Sequence, residues 1–216
     1  KYLPSLGIIS VFTFKESGYL FLLFVGFKIQ IVITFFRSLN ILSEEELELI
    51  VKLPKHKVLN HKDYLIKEGE ICNEITFVKS GILRSFYITS QGTETTNCIV
   101  FENGFMAAFS SYITQQPTEE NIQAIGKVEL MVLERADLEW LYSQSTAWQN
   151  VGRILTEWQY VEMEKRVASF QKQTAKQRYE TLLQKHSNYI KIIPLQYLAS
   201  YLGITPRHLS RLRKES

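Results

Sequence analysis

Five glycines punctuate the middle of the chain: Gly69, Gly81, Gly92, Gly104 and Gly126, spaced 12, 11, 12 and 22 residues apart. The runs beside them are short, apolar and rich in β-branched or aromatic residues: Tyr64–Lys67, Ile75–Val78, Ile82–Ile88, Thr96–Val100 and Val128–Leu133. Turn signals at this interval between β-type runs predict an antiparallel sandwich or barrel. With 216 residues, 45% of them hydrophobic and 22% charged, the chain has enough apolar material for one large domain or two small ones.

Helical texture lies on either side of this region. Ser43 followed by Glu44, Glu45 and Glu46 writes a capping box, in which Ser43 accepts the amide three residues on and Glu46 reaches back. The helix it starts should run to about Leu53, where Pro54 ends it. After Arg135 the apolar spacing turns helical again, with Asp137 as the expected cap and a long helix from Thr146 to Gln171. On that helix Trp148, Val151, Leu155 and Trp158 recur at intervals of 3, 4 and 3. Such a stripe either packs on its parent domain or forms a two-fold dimer seam, and the spacing alone leaves both open. A second capping box, Thr174 to Gln177, restarts a helix through about Lys185, so residues 171–173 are the expected hinge.

Charge is sorted by segment. The net charge is +3, but Met163 to Ser216 holds 11 Lys+Arg against 3 Asp+Glu, so that segment is +8 and the remainder −5. A basic C-terminal quarter favours a polyanionic partner. Two cysteines, Cys72 and Cys98, are too few for a disulfide framework and lack CxxC spacing, which points to a reducing, cytoplasmic setting. His56 and His61 are expected to be solvated, and no metal ligand set or cofactor is expected. There is no nucleophile–base pair and no phosphate-cradling glycine loop, so the chain is not expected to be an enzyme.

At the N-terminus, Tyr19 to Phe36 is an apolar run of 18, about the length that crosses a bilayer. Lys28 and Gln30 interrupt its middle, and neither a basic leader nor a small-residue cleavage site accompanies it. Residues 1–36 are therefore expected to be an extension outside the folded unit, foreign to it or membrane-associated, with a true anchor disfavoured.

The strongest local signal is IPLQYLASYLGITPRHLSRLRK, residues 193–214. Pro194 suits a first helical turn, Ala199 is small where a second helix must approach, and Gly203 can take the left-handed conformation that ends the first helix. Thr205 then caps a second helix that begins at Pro206. Leu198, Leu202, Ile204, Leu209 and Leu212 are left to bury between the two helices, which makes this a helix-turn-helix. Arg207, Ser210 and Arg211 share the outward face near the start of the second helix, where arginine can bond guanine bidentately and serine can serve base or phosphate. Thr205, His208, Arg213 and Lys214 are placed to hold phosphates.

With these motifs in view, the chain resembles the Crp/Fnr family of regulators from about Phe36 to its end. The resemblance rests on KEGE (67–70), VKSGILRSFY (78–87), AKQRYETLL (175–183) and the 193–214 segment, the last two in a form similar to Bacteroidetes-type members. It implies an α+β chain: a cyclic-nucleotide-binding-like antiparallel β-roll over 37–145, a dimerisation helix and hinge over 146–173, and a winged helix-turn-helix over 174–216. It also implies a homodimer on a palindromic double-stranded operator, each recognition helix in the major groove, and admits RNA polymerase as a further partner.

The family's ligand chemistry does not transfer. Where its cyclic-AMP binders place a Gly-Glu pair and, further on, an Arg-Ser pair, this chain has Ala107-Ala108, followed by Phe109, and about Thr118-Glu119. A cyclic phosphate facing Glu119 without an arginine would be unpaired, so cyclic AMP is not expected to bind and the effector is left open. Two dispersed cysteines also cannot hold the iron–sulfur cluster of the family's oxygen sensors.

Overall fold

The computed structural model describes residues 30 and 32–215. A short helix at 32–38 (α1) leads into α2 (Glu44–Lys52), whose capping box is formed in both directions between Ser43 and Glu46. Six strands follow: β1 (Lys55–Leu59), β2 (Tyr64–Ile66), β3 (Glu74–Ile88), β4 (Glu94–Val100), β5 (Phe105–Met106) and β6 (Asn121–Glu134), with the short helix α3 (Phe109–Thr114) between the last two. All strand pairings are antiparallel, in the order β1-β6-β3-β4, with β2 on β6 and β5 on β3. This is the antiparallel architecture that the turn spacing predicts, in the roll form that the family resemblance implies.

The strands are longer than the glycine spacing suggested. Gly81 is not a turn between two strands but a bend within β3, and Gly126 a bend within β6. The register between β3 and β6 slips on both sides of Ser80, and both glycines have positive φ, +93° and +78°. A Cβ on Gly81 would stand 2.5 Å from the Lys127 carbonyl oxygen, so the bend also depends on close backbone contact.

Five helices follow among the described residues: α4 (Arg135–Gln144), α5 (Thr146–Lys172), α6 (Ala175–Ile190) and the pair α7 (Leu195–Leu202) and α8 (Pro206–Glu215). Asp137 is not the cap of α4; Glu134 occupies that place and Asp137 lies in the first turn, where its charge suits the helix dipole. Helix α6 starts at the Thr174 capping box and runs five residues past Lys185, with a non-helical kink at His186. No strand follows β6 among the described residues, so the expected wing is not seen there.

Three apolar clusters hold these elements. One fills the roll, with Val78, Leu83, Ala108, Ile122, Val128 and Leu130. Another joins α1, α2, α4 and α5 to the outside of the roll: Val32, Phe36, Leu47 and Ile50 meet Phe77, Met131, Trp148 and Val151. The folded unit thus begins before the boundary expected at residue 36, because Val32 and Phe36 recur at helical spacing and bury their side chains. Most of the apolar run from Tyr19 lies outside the described residues. No helix among those described is long and apolar enough to cross a membrane. The third cluster joins the roll to the C-terminal helices.

Candidate functional site

The last two helices form the tight pair expected from their sequence. Gly203 ends α7 at φ +68°, ψ +36°, and its amide reaches the carbonyls of Ala199 and Ser200. Thr205 accepts the His208 amide at 3.2 Å, capping α8. Leu198, Ala199, Leu202, Leu209 and Leu212 are buried between the helices and their support. On the other side of α8, Arg207 and Arg211 are exposed one turn apart, with Lys214 beyond them, while Ser210 and His208 are half-buried. Arg213 differs: its guanidinium donates to the Ile190 carbonyl at 3.2 Å, so it ties α8 to α6 and is not free to hold phosphate.

Two more of the segment's cations are spent in the same way. Arg178 donates to the Leu202 carbonyl at 2.9 and 3.2 Å, and Arg166 donates to the Tyr201 carbonyl at 3.1 Å. Both serve the C-terminal end of α7, where unpaired carbonyls and the helix dipole favour a cation. Phe170 packs beneath Gly203 and beside both arginines. Part of the +8 charge therefore builds the helix-turn-helix, and Arg207, Arg211 and Lys214 remain at its surface.

The unit is seated on the roll. Alternation along β3 turns Leu83 and Ser85 into the roll and Ile82 and Arg84 outward. Ile82, Ile99, Phe101 and Ile125 form one cluster with Leu198, Leu202 and Ile190. Arg84 is 0% exposed. Its guanidinium lies 3.9 Å from the ring centroid of Phe86 and 3.5 Å from that of Tyr197 on α7, and it pairs with Glu94 at 2.7 Å and Gln123 at 3.2 Å. Desolvated cation–ring contacts are worth about 2 kcal/mol. Against them, Arg84 Nε and Nη1 are buried without hydrogen-bond partners, which costs about 1–3 kcal/mol apiece. Alongside, the Thr96 amide on β4 donates to Ser200 Oγ at 2.8 Å, Tyr189 donates to Glu102 at 3.0 Å, and His186 stacks on Phe101 at 3.9 Å. Burial pushes the Tyr189 hydroxyl up to about 12, with the nearby Glu102 charge adding to it. Nothing local to Arg84 signals this role, which depends on α7 arriving over the sheet.

Inside the roll, Ala107 and Ala108 line a cavity of about 170 Å³ with Lys57, Glu70, Cys72 and Ile122. Phe109 opens α3 immediately after Ala108. Thr118 is buried and occupied: its amide donates to the Glu70 carbonyl, its carbonyl accepts from Gly69, and its hydroxyl accepts the Glu120 amide. Glu119 is exposed. The carboxyl that turns inward is its neighbour Glu120, which takes a hydrogen bond from buried Ser85; burial raises its pKa, and the Ser85 hydroxyl opposes the rise. The alternation that buries Ile122 and Ala124 could have singled out Glu120 over Glu119.

Residues 56–145 match the family model of the cyclic nucleotide-binding domain. Three solved structures share the wider architecture. FixK2 from Bradyrhizobium japonicum superposes with a TM-score of 0.66 at 15% identity, over 76% of this chain and 84% of its own. A putative transcriptional regulator of the Crp/Fnr family from Eubacterium rectale gives 0.61 at 19%, over 82% and 84%. This chain has the Crp/Fnr fold. A putative cyclic nucleotide binding protein from Ruegeria pomeroyi gives 0.58 at 16%, over 82% and 80%. No curated protein matches the sequence.

Within the Crp/Fnr fold, the helix after the roll shows which apolar residues it leaves to solvent. Trp148 and Val151, both 3% exposed, pack against the roll and α1, Leu155 joins them, and Trp158 meets Phe35. Trp148 and Val151 thus pack on the parent domain, while Leu155 and Trp158 stay half-buried. A second stripe is left bare further along α5: Tyr160, Met163 and Val167, at 63, 60 and 55% exposure and spacings of 3 and 4. Interleaved Glu162, Glu164 and Lys165 hid this stripe in the sequence. Elsewhere, His56 is exposed and His61 Nδ1 accepts the Gly126 amide at 3.1 Å. Among the described residues no cluster of His, Cys, Asp or Glu could hold a metal ion.

Proposed function

We propose that this chain is a sequence-specific DNA-binding transcription regulator that works as a homodimer on a palindromic operator. The observation that carries the reading is the outer face of α8, where Arg207 and Arg211 stand exposed one turn apart on a helix fixed by the Thr205 cap and the Gly203 turn. Ser210 completes that face, and Thr205, His208 and Lys214 flank it as phosphate contacts. Arg213 leaves the phosphate set for the reason given above. The bare stripe Tyr160, Met163 and Val167 supports a dimer seam nearer the reading heads than Trp148 and Val151.

The roll is proposed not to take cyclic AMP. The cavity of about 170 Å³ beside Ala107 and Ala108 falls below the range of about 300–1,000 Å³ usual for ligand pockets. Glu70 and Glu74 line the cavity, and the lysine there, Lys57, is already paired with Glu74 at 2.9 Å, so a cyclic phosphate would meet carboxylates. A thermal shift with cyclic AMP would contradict this.

Selection of bound sites from random duplexes tests the main reading, and two-fold symmetric half-sites are the expected result. Replacing Arg207 or Arg211 by alanine should then cost about 1–3 kcal/mol and relax one base position per half-site. Binding should weaken steeply with salt as counterions are released. Asymmetric sites, or unchanged base preference in both variants, would overturn the assignment.

A further inference from the structure

The break between α5 and α6 falls at Gln173, whose backbone is extended at φ −113° and ψ +143°. A link of one or two such residues acts as a hinge unless side chains bridge it. Here three do. Arg178, in the first turn of α6, donates to the Gln173 carbonyl at 2.6 Å and to the Leu202 carbonyl at 2.9 and 3.2 Å, so one guanidinium spans the break and reaches α7. Arg166, still on α5, donates to the Tyr201 carbonyl at 3.1 Å and stacks on the Tyr201 ring at 4.0 Å. Between the two guanidinium groups lies the Phe170 ring, 5.0 Å from Arg166 and 4.8 Å from Arg178, against Gly203 so closely that a Cβ there would stand 2.8 Å away. A planar guanidinium making several bonds fixes a direction as well as a distance.

Phe170 also continues the bare stripe of α5. Tyr160, Met163, Val167 and Phe170 follow one another at spacings of 3, 4 and 3, and Phe170 keeps 43% of its surface exposed. The ring that meets Gly203 is thereby the next step of the seam, and α8 begins at Pro206, three residues beyond Gly203.

We propose that Arg166, Phe170 and Arg178 form a clamp that fixes the reading helix relative to the dimer seam, and so sets the half-site spacing that the dimer accepts. The clamp rests on the homodimeric DNA-binding reading above. One added base pair moves a half-site by about 3.4 Å along the duplex and turns it by about 35°. A clamped arm follows that change only by straining itself or the DNA, whereas a hinged arm swings to meet it. None of the three lies on the exposed face of α8, so they are positioning residues that select spacing and leave the reading of bases to Arg207 and Arg211.

The test uses the whole chain and a duplex carrying two selected half-sites, with the spacer at its selected length or one base pair longer or shorter. Wild type should favour the selected spacing by about tenfold or more, because a misplaced half-site is met only by deforming DNA or protein. Arg166→Gln/Arg178→Gln opens the clamp without touching the seam, and Phe170→Ala removes the ring between the arginines. In both, the preference should fall to about threefold or less, while base preference within each half-site stays as in wild type. Arg178→Lys keeps the charge but loses the fork, and should fall between them and wild type. Sedimentation at the binding concentration checks that each variant is still a dimer. The clamp is overturned if dimeric variants keep the wild-type spacing preference, or if wild type accepts all three spacers equally. It is also overturned if base preference is lost along with spacing in every variant, Arg178→Lys included, since the three residues would then build the reading unit without aiming it. If wild type binds no duplex, or only asymmetric single sites, the homodimeric reading itself fails and the clamp falls with it.

Discussion

The roll's two faces carry cores of different kinds. The inner core, around Val78, Leu83, Ile122, Val128 and Leu130, is made by the roll alone. The outer core, around Ile82, Ile99 and Phe101, is completed by Leu198, Leu202 and Ile190 from the C-terminal helices. Adjacent residues of one strand serve both, Leu83 inward and Ile82 outward. The comparison teaches that burial alone does not say what a residue stabilises: loss of an inner residue has no escape but unfolding, whereas loss of an outer one can be met by separation of two units.

The largest expected effect is therefore inside. Leu130→Ala should destabilise the roll by about 2–5 kcal/mol, because a cavity opens where the surroundings can collapse only in part. Urea unfolding followed by tryptophan fluorescence reads this, since Trp148 packs on the roll. A loss well below 1 kcal/mol would remove the contrast between the cores.

Next comes the bend that turns the strand between them. Gly81→Ala forces a side chain into φ +93° and against the Lys127 carbonyl, at a cost of about 1–3 kcal/mol. The slip of register beside it should also be disturbed, seen as faster exchange near Ile125 and Val128. Stability equal to wild type would show that the bend tolerates a Cβ.

In the outer core, Ile82→Ala should cost about 1–2 kcal/mol, since the C-terminal helices can separate before the roll unfolds. The distinguishing result is faster exchange in α6 and α7 with β3 and β6 still protected. A single concerted transition that includes both would merge the cores into one.

These outcomes also mark what the sequence could say. The helix-turn-helix was legible because Ala199, Gly203, Thr205 and Pro206 act on their immediate neighbours, and local conformation is what residue type encodes most directly. The roll was legible as a class, but β3 and β6 run unbroken through Gly81 and Gly126, because whether a glycine bends a strand or ends it is decided by the partner strand. The stripe Trp148, Val151, Leu155 and Trp158 had a helical period, but that period does not encode the contact of Trp148 and Val151 with α1 and the roll, which depends on distant elements. Arg84 carried no signal at all: an arginine in an apolar run reads as a solvated side chain until a distant Tyr197 covers it.

The smallest expected effect tests the polar residue of the inner face. Burial raises the pKa of Glu120 above its unfolded value. The folded state thus holds this proton more tightly than the unfolded one, so the carboxyl's favourable contribution is complete below the unfolded value of about 4.3 and is lost as pH rises through the folded pKa. Glu120→Gln removes the ionisation while keeping an acceptor for the Ser85 hydroxyl. The variant should match wild type below about pH 4 and be the more stable of the two at neutral pH, as read by thermal melts across that range. Lower stability of the variant at pH 7.5 would mean that the ionised carboxylate is well satisfied there, and that the inner face carries a polar contact as favourable as those of the outer one.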